Sequence, residues 1–239
     1  MDKEQVYLQS AFVLHQRPYQ NTSAIVDIFS REYGRQSLIA KGVKRKKSPL
    51  KSILQSFQPL SLSWVRRSDL GVLVSAELQP PIIQLNNENL YSGLYLNELI
   101  LRLLLPFDAS PALFDTYSDT LLSLSNNRPV TAALRLFEKQ LLTSLGYEIP
   151  LTQEAESLKA IEPDKYYSYL PEHGFIENTA EDKSDVHFKG EYLLAFANNQ
   201  LDQTETLKTA HRLMHINLKR LLGSKPLKSR ELYKAYLKI

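Results

Sequence analysis

The chain has no cysteine, one tryptophan, two methionines and only eight glycines among its 239 residues. Without cysteine there can be no disulfide framework, no thiolate-ligated zinc and no thiol nucleophile, which fits a reducing compartment. The glycines form neither a phosphate-cradling loop nor a dinucleotide fingerprint, so use of ATP or NAD is not expected. No apolar run reaches the roughly 18 residues of a membrane span, and Asp2 and Glu4 put acids where a secretory signal needs cations. These absences read as a soluble, cytoplasmic protein. No nucleophile stands with an evident base, and no carboxylate pair or metal cluster suggests a reaction, so no enzyme activity and no cofactor are expected. His211 and His215 have the spacing of a metal-binding helix face, but Arg212-Leu213-Met214 between them lacks the glutamate of the zinc-protease pattern, so no metal site is assigned. The acidic stretch 150–190 could in principle serve a metal-dependent nuclease, but acids on a solvated segment more often serve solubility.

What is present is segregated charge. The formal net charge is only +3, yet residues 1–80 hold 12 basic against 6 acidic groups and residues 201–239 hold 9 against 3, while the middle of the chain compensates. The densest point is Ala40–Lys51, AKGVKRKKSPLK, which carries Lys41, Lys44, Arg45, Lys46, Lys47 and Lys51. Six cations on one connection repel one another, so the run is expected to stay solvated and mobile until a polyanion neutralises it. Nucleic acid is the first partner this suggests. The run lacks interleaved apolar anchors until Ile53, which disfavours a membrane surface.

Period-two alternation predicts five strands near Tyr7–His15, Ser23–Ser30, Arg35–Lys41, Phe57–Val65 and Gly71–Leu78, with a tight hairpin at Arg31-Glu32-Tyr33-Gly34. Five short strands suggest a small barrel, of the oligonucleotide-binding (OB) kind or SH3-like. Phe12, Phe29 and Phe57 are assigned to its interior, and Trp64 is either core or a stacking platform for bases. After Pro80-Pro81 the spacing turns helical, predicting helices near 88–105, 110–125 and 129–145, the third capped by Gly146. A hairpin at Tyr166–Leu170 and Gly174–Asn178 follows, then helices near 190–198, 203–222 and 228–238. The fold class is α+β, with residues 1–80 a barrel domain and residues 81–239 a helical domain that carries a small irregular insertion around 150–190.

Binding chemistry is better supplied than catalysis. Arg17 beside Tyr19, Arg35 beside Tyr33, and Arg66 and Arg67 beside Trp64 could pair rings for bases with cations for phosphates. A second cationic cluster, Lys219, Arg220, Lys225, Lys228 and Arg230, could extend the electrostatic track. Arg135 stands apart, bordered by Leu134 and Leu136. It suits the carboxylates of an acidic, apolar peptide end, and an ion pair with Glu138 three residues on explains it equally well.

One series of fragments runs through Ala11-Phe12-Val13-Leu14-His15 with Arg17-Pro18, Leu38-Ile39-Ala40-Lys41-Gly42, the stretch Leu50–Pro59, Leu90-Tyr91-Ser92-Gly93-Leu94-Tyr95 and Asn97-Glu98-Leu99. Leu134–Glu138, Leu145-Gly146-Tyr147, Gly174-Phe175-Ile176 and Lys225–Leu232 continue it over nearly the whole chain. Together, and in this order, these fragments resemble the bacterial RecO family of DNA repair and recombination mediators. The resemblance implies an OB-fold followed by a mainly helical domain. It also implies binding of single- and double-stranded DNA, annealing of complementary strands and, with RecR, replacement of single-strand-binding protein by RecA. It implies that Arg135 receives the acidic C-terminal tail of single-strand-binding protein. Many relatives carry a four-cysteine zinc site, which this chain cannot form, so its acidic region must hold its shape by packing alone. An RNA-binding barrel remains the alternative binding module.

Overall fold

The computed structural model describes residues 4–126, 129–178 and 187–237. Packing divides the chain into two compact units, one of Met1–Arg128 with Pro226–Ile239, the other of Pro129–Lys225.

In the first unit the alternating segments form β1 (Glu4–Tyr19), β2 (Ser23–Ser30), β3 (Gly34–Ala40), β4 (Leu60–Arg66) and β5 (Leu70–Leu78), closed into a barrel in the order β1-β2-β3-β5-β4. This is the OB arrangement: β3 and β5 pair in parallel, and the other neighbours pair antiparallel. β1 is long because it serves two partners, its first half pairing with β4 and its second half with β2. Register breaks between Val6 and Gln9 and between Val13 and His15 supply the bends that closure needs. The expected hairpin joins β2 to β3. Gly34 lies at φ +63°, and a Cβ there would meet the carbonyl oxygen of Asp108 at 2.1 Å, so the turn requires glycine for both its backbone conformation and its close approach. Val13, Val26, Ile28, Leu38, Leu62 and Trp64 fill the interior. Trp64 is therefore core, 1% exposed with its edge against Tyr33, and no stacking platform.

Three aromatic residues do not go where alternation put them. Phe12 and Phe29 lie on the outer face of the barrel, against Phe114 and Tyr117 of α3 (Pro111–Ser125) at ring separations of 5.1–6.0 Å. Phe57 packs on α2 (Asn87–Leu103), where Gly93 leaves room; a Cβ at Gly93 would lie 2.9 Å from the Phe57 ring. Alternation reports which residues share a face but not which face is interior, and here both faces of β1 are covered. The buried amide of Asn97 ties this layer together, donating to the Leu14 carbonyl at 2.9 Å and accepting from Tyr117 at 2.5 Å. Arg31 adds a bidentate pair to Asp115 of α3 at 2.8 and 2.9 Å.

The last helix of the chain, α7 (Lys228–Tyr236), belongs to this first unit and packs on α2. The expected division at residue 80 is thus a division by secondary-structure type, whereas packing joins α2, α3 and α7 to the barrel. The expected end of α7 at Lys238 lies outside the described residues. α7 has no side-chain cap of its own; Glu98 of α2 accepts from the backbone N–H groups of Lys228 and Ser229 and from the Ser229 hydroxyl at 2.7–2.9 Å.

The second unit contains α4 (Val130–Ser144), a three-stranded antiparallel sheet in the order β7-β6-β8 (β6 Tyr166–Leu170, β7 Gly174–Glu177, β8 His187–Lys189), α5 (Gly190–Ala197) and α6 (Thr204–Leu222). Gly146 ends α4 as expected, with Tyr147 N–H returning to Leu142 O at 2.8 Å. Of the stretch 150–190, residues 179–186 lie outside the described residues. β8 had no sequence signal because three residues cannot display a period. Phe175, surrounded by Tyr169 at 4.9 Å and Phe188 at 6.1 Å, provides the aromatic packing of the sheet.

Burial pushes the Glu98 carboxyl up, but the hydrogen bonds from Ser229 and Lys228 and the nearby Arg102 charge outweigh it and hold the group below its ordinary value of 4.5. A depressed carboxyl stabilises the fold above its unfolded value and loses that contribution as pH falls through the folded one. Protection factors of the α7 amides, which divide out the intrinsic slowing of exchange in acid, are expected to fall on acidification below that ordinary carboxylate range, and Glu98→Gln should show the lower protection already at neutral pH. Equal α7 protection in variant and wild type at both pH values would exclude this cap.

Candidate nucleic-acid interface

The basic run begins where β3 leaves the barrel core at Ala40. Its backbone makes a series of turn hydrogen bonds. Lys44 N–H donates to Thr22 O of the β1–β2 turn at 2.9 Å, Arg45 to Gly42 O at 3.1 Å, Ser48 to Arg45 O at 3.0 Å and Lys51 to Ser48 O at 3.3 Å, after which Leu50–Ile53 make one helical turn, α1. The reason is apolar. Val43 inserts into the barrel core, and Leu50 and Ile53 pack against the same cluster, anchoring both ends. Val43 carries no signal in the sequence, because a single apolar residue among cations has no period. With these anchors inside, Lys41, Lys44, Arg45, Lys46, Lys47 and Lys51 all face solvent. Repulsion between the cations is thus borne by a backbone that is already ordered, and the six charges form a preset display.

Arg17 is half exposed on the barrel wall. Its guanidinium donates to Asp27 at 3.1 Å, and Asp27, nearly buried, also accepts from Ser37 at 2.5 Å and lies 3.8 Å from the His15 ring. Cross-strand register makes this row, since His15 sits opposite Asp27 and Asp27 opposite Ser37. Asp27 had no distinguishing signal in the sequence. Its role comes from register across three strands.

The remaining expected DNA contacts divide. Arg35 is half buried and donates through Nε to Leu104 O at 3.1 Å, while its own carbonyl accepts from Phe107 N–H at 3.0 Å. Arg66 is held by Glu4 at 2.6 and 2.9 Å and lies 4.5 Å above the Phe107 ring. These two cations therefore fix the 104–107 segment to the barrel, and the neighbours expected from sequence are not their ring partners, because Tyr33 and Trp64 face each other. Lys228 and Arg230 are exposed on α7, with Arg230 5.8 Å over the Tyr95 ring, and belong to the same unit as the basic loop. Lys225 is exposed and belongs to the second unit.

Arg135 is 7% exposed and pairs with Glu138, itself 1% exposed, at 2.6 Å. The intrahelical pair weighed from sequence is formed, and any incoming carboxylate must compete with it. His211 and His215 stack in parallel at 6.3 Å. Among the described residues no group of three or more histidines or acids could hold a metal, and no helix is long and apolar enough to cross a membrane.

Removing one member of a buried ion pair leaves the other unpaired and costs about 3–5 kcal/mol, whereas replacing both with apolar residues costs much less. Urea unfolding should therefore show Arg135→Met to be strongly destabilised and the double variant Arg135→Met with Glu138→Leu to be substantially restored. Additive losses would show that the pair does not act as a unit.

Two family models cover nearly all of the chain: the recombination protein O N-terminal model matches residues 1–81 and its C-terminal model residues 85–231. Among curated relatives, the DNA repair protein RecO of Nitrosococcus oceani is 46% identical over 95% of this chain and 92% of its own length. That of Aliivibrio salmonicida is 42% identical over 95% and 94%, and that of Coxiella burnetii is 43% identical over 96% and 98%. With an OB barrel, a mainly helical remainder and this similarity along both, the chain belongs to the RecO family of DNA repair proteins.

Proposed function

We propose that this chain is a recombination mediator that binds single- and double-stranded DNA and anneals complementary strands without turnover. With RecR it would help load RecA onto DNA coated with single-strand-binding protein. The observation that carries the reading is the anchored basic loop, six outward cations on a turn-structured backbone seated in an OB barrel. Two DNA strands repel through their phosphates. A surface that neutralises backbone charge while leaving base edges free lowers the barrier to their encounter, and base pairing supplies the drive. Primary phosphate contact falls to Lys41, Lys44, Arg45, Lys46, Lys47 and Lys51, with Arg17 on the adjoining wall and Lys225, Lys228 and Arg230 as a second cationic group. Arg35 and Arg66 contribute by holding the barrel's flank and through long-range charge.

Engagement of the acidic tail of single-strand-binding protein at Arg135 competes with the buried Glu138 pair, so the Glu138 carboxylate must be protonated or paired elsewhere when the tail displaces it.

Replacing Lys44, Arg45, Lys46 and Lys47 together by glutamine should reduce the slope of log affinity against log salt by up to about 3 on single strands and slow annealing of complementary oligonucleotides. Annealing at the wild-type rate would remove the loop from the interface. The double variant Arg135→Met with Glu138→Leu, which leaves no buried charge unpaired, should leave annealing of bare DNA unchanged and weaken annealing on strands coated with single-strand-binding protein. Equal activity on the two substrates would remove Arg135 from the partner site.

A further inference from the structure

A cavity of about 650 Å³ opens on the second unit, lined by residues from the end of α4, the β6–β7 turn and the last turns of α6. Tyr147 lines it and is 48% exposed, so its ring is reachable from solvent. Tyr169 forms part of the wall and is fixed there, its hydroxyl donating to Asn217 Oδ1 at 2.9 Å while Asn217 Nδ2 donates to Leu213 O at 2.9 Å. Arg220 and Glu172, both about half exposed, line the cavity and form an ion pair, and Glu148 adds a further carboxylate. Both tyrosines lie within electrostatic range of Arg220.

We propose that this cavity receives an unpaired nucleobase of a DNA strand, with Tyr147 as its stacking surface. The chemistry of the wall selects that occupant. An anionic peptide end would have to displace Glu172 from Arg220 and approach Glu148, whereas a neutral heteroaromatic ring needs only flat surface and mixed donors and acceptors. The Arg220–Glu172 pair supplies both kinds of group without net charge, and a cavity of this size admits a base with its sugar. The strand's phosphates then remain outside, next to Lys219, which precedes Arg220 on the exposed side of α6. Such a site gives the second unit, acidic over much of its length, a means of holding single strands by stacking rather than by charge.

This inference rests on the proposed DNA binding, and the test separates the two. Affinity is measured by fluorescence anisotropy for a labelled oligothymidylate and for a strand of the same length with abasic sugars, using the full chain. Tyr147→Ala is expected to weaken oligothymidylate binding by about thirtyfold, the middle of the range for loss of one stacked base, and to leave abasic binding and the salt slope unchanged. Tyr147→Phe should keep the wild-type affinity. A 4-thiothymidine strand should crosslink to the peptide bearing Tyr147. Unchanged oligothymidylate affinity in Tyr147→Ala, equal loss on both strands, or loss of affinity for an acidic peptide in place of DNA would each overturn the base site while leaving the basic-loop reading intact. If the wild-type chain bound neither strand, the proposed function would fall and the base site with it.

Discussion

The first unit depends on a stretch of β1, Ala11–Leu14, that is buried on both sides. β1 sends Val13 into the barrel and Phe12 out of it, and both are almost wholly removed from water. An OB barrel alone would leave Phe12, Leu14 and Phe29 exposed, forfeiting about 1.5–3 kcal/mol for each such side chain. α3 covers them with Phe114 and Tyr117, and α2 completes the cover through Asn97, whose amide satisfies a β1 carbonyl and the Tyr117 hydroxyl. Burial pushes the Tyr117 phenol well above its ordinary value, so it remains a protonated donor to Asn97. The boundary between the strand-rich and helix-rich portions of the sequence therefore runs through a continuous core.

That constraint bears on function through what it leaves exposed. With one flank of the barrel committed to helices, the surface left to solvent carries the basic loop, Arg17 and the His15–Asp27–Ser37 row. Arg35 and Arg66 lie on the committed flank and are bound to main-chain and carboxylate acceptors there. The same residue type is thus left to solvent on one side and drawn into packing on the other, according to which acceptors its neighbours supply. The loop adds a second economy of design: its apolar residues Val43, Leu50 and Ile53 turn the repulsion of six cations into a fixed display. A polyanion meeting it need not first order the chain, so less of the electrostatic gain is lost to entropy.

Much of the secondary structure was legible in the sequence. The five strands, the Gly34 hairpin, the three helices after Pro80-Pro81 and the Tyr166–Gly174 hairpin all form within a few residues of their expected limits, because alternation, helical spacing and turn residues act locally. α1 and β8 were not legible, since a single helical turn and a three-residue strand are too short to show a period. Of the candidate site, the cations could be read one by one. Their division into exposed and engaged groups could not, because Arg35 finds its acceptor 69 residues away and Arg66 finds its own 62 residues away.

By itself, then, the sequence determined the local elements, the segregation of charge and the absence of thiol and phosphate-loop chemistry, all of which follow from residue type and short-range spacing. Tertiary structure alone decided that Phe12 and Phe29 face helices rather than the barrel interior, and that Trp64 is core. It also decided that Arg135 is closed on Glu138 and that Glu98 caps a helix 130 residues downstream. Each of these depends on which distant surface arrives to exclude water from a side chain. Spacing along one chain carries no record of that arrival, because burial and ion pairing are fixed by the neighbours in space.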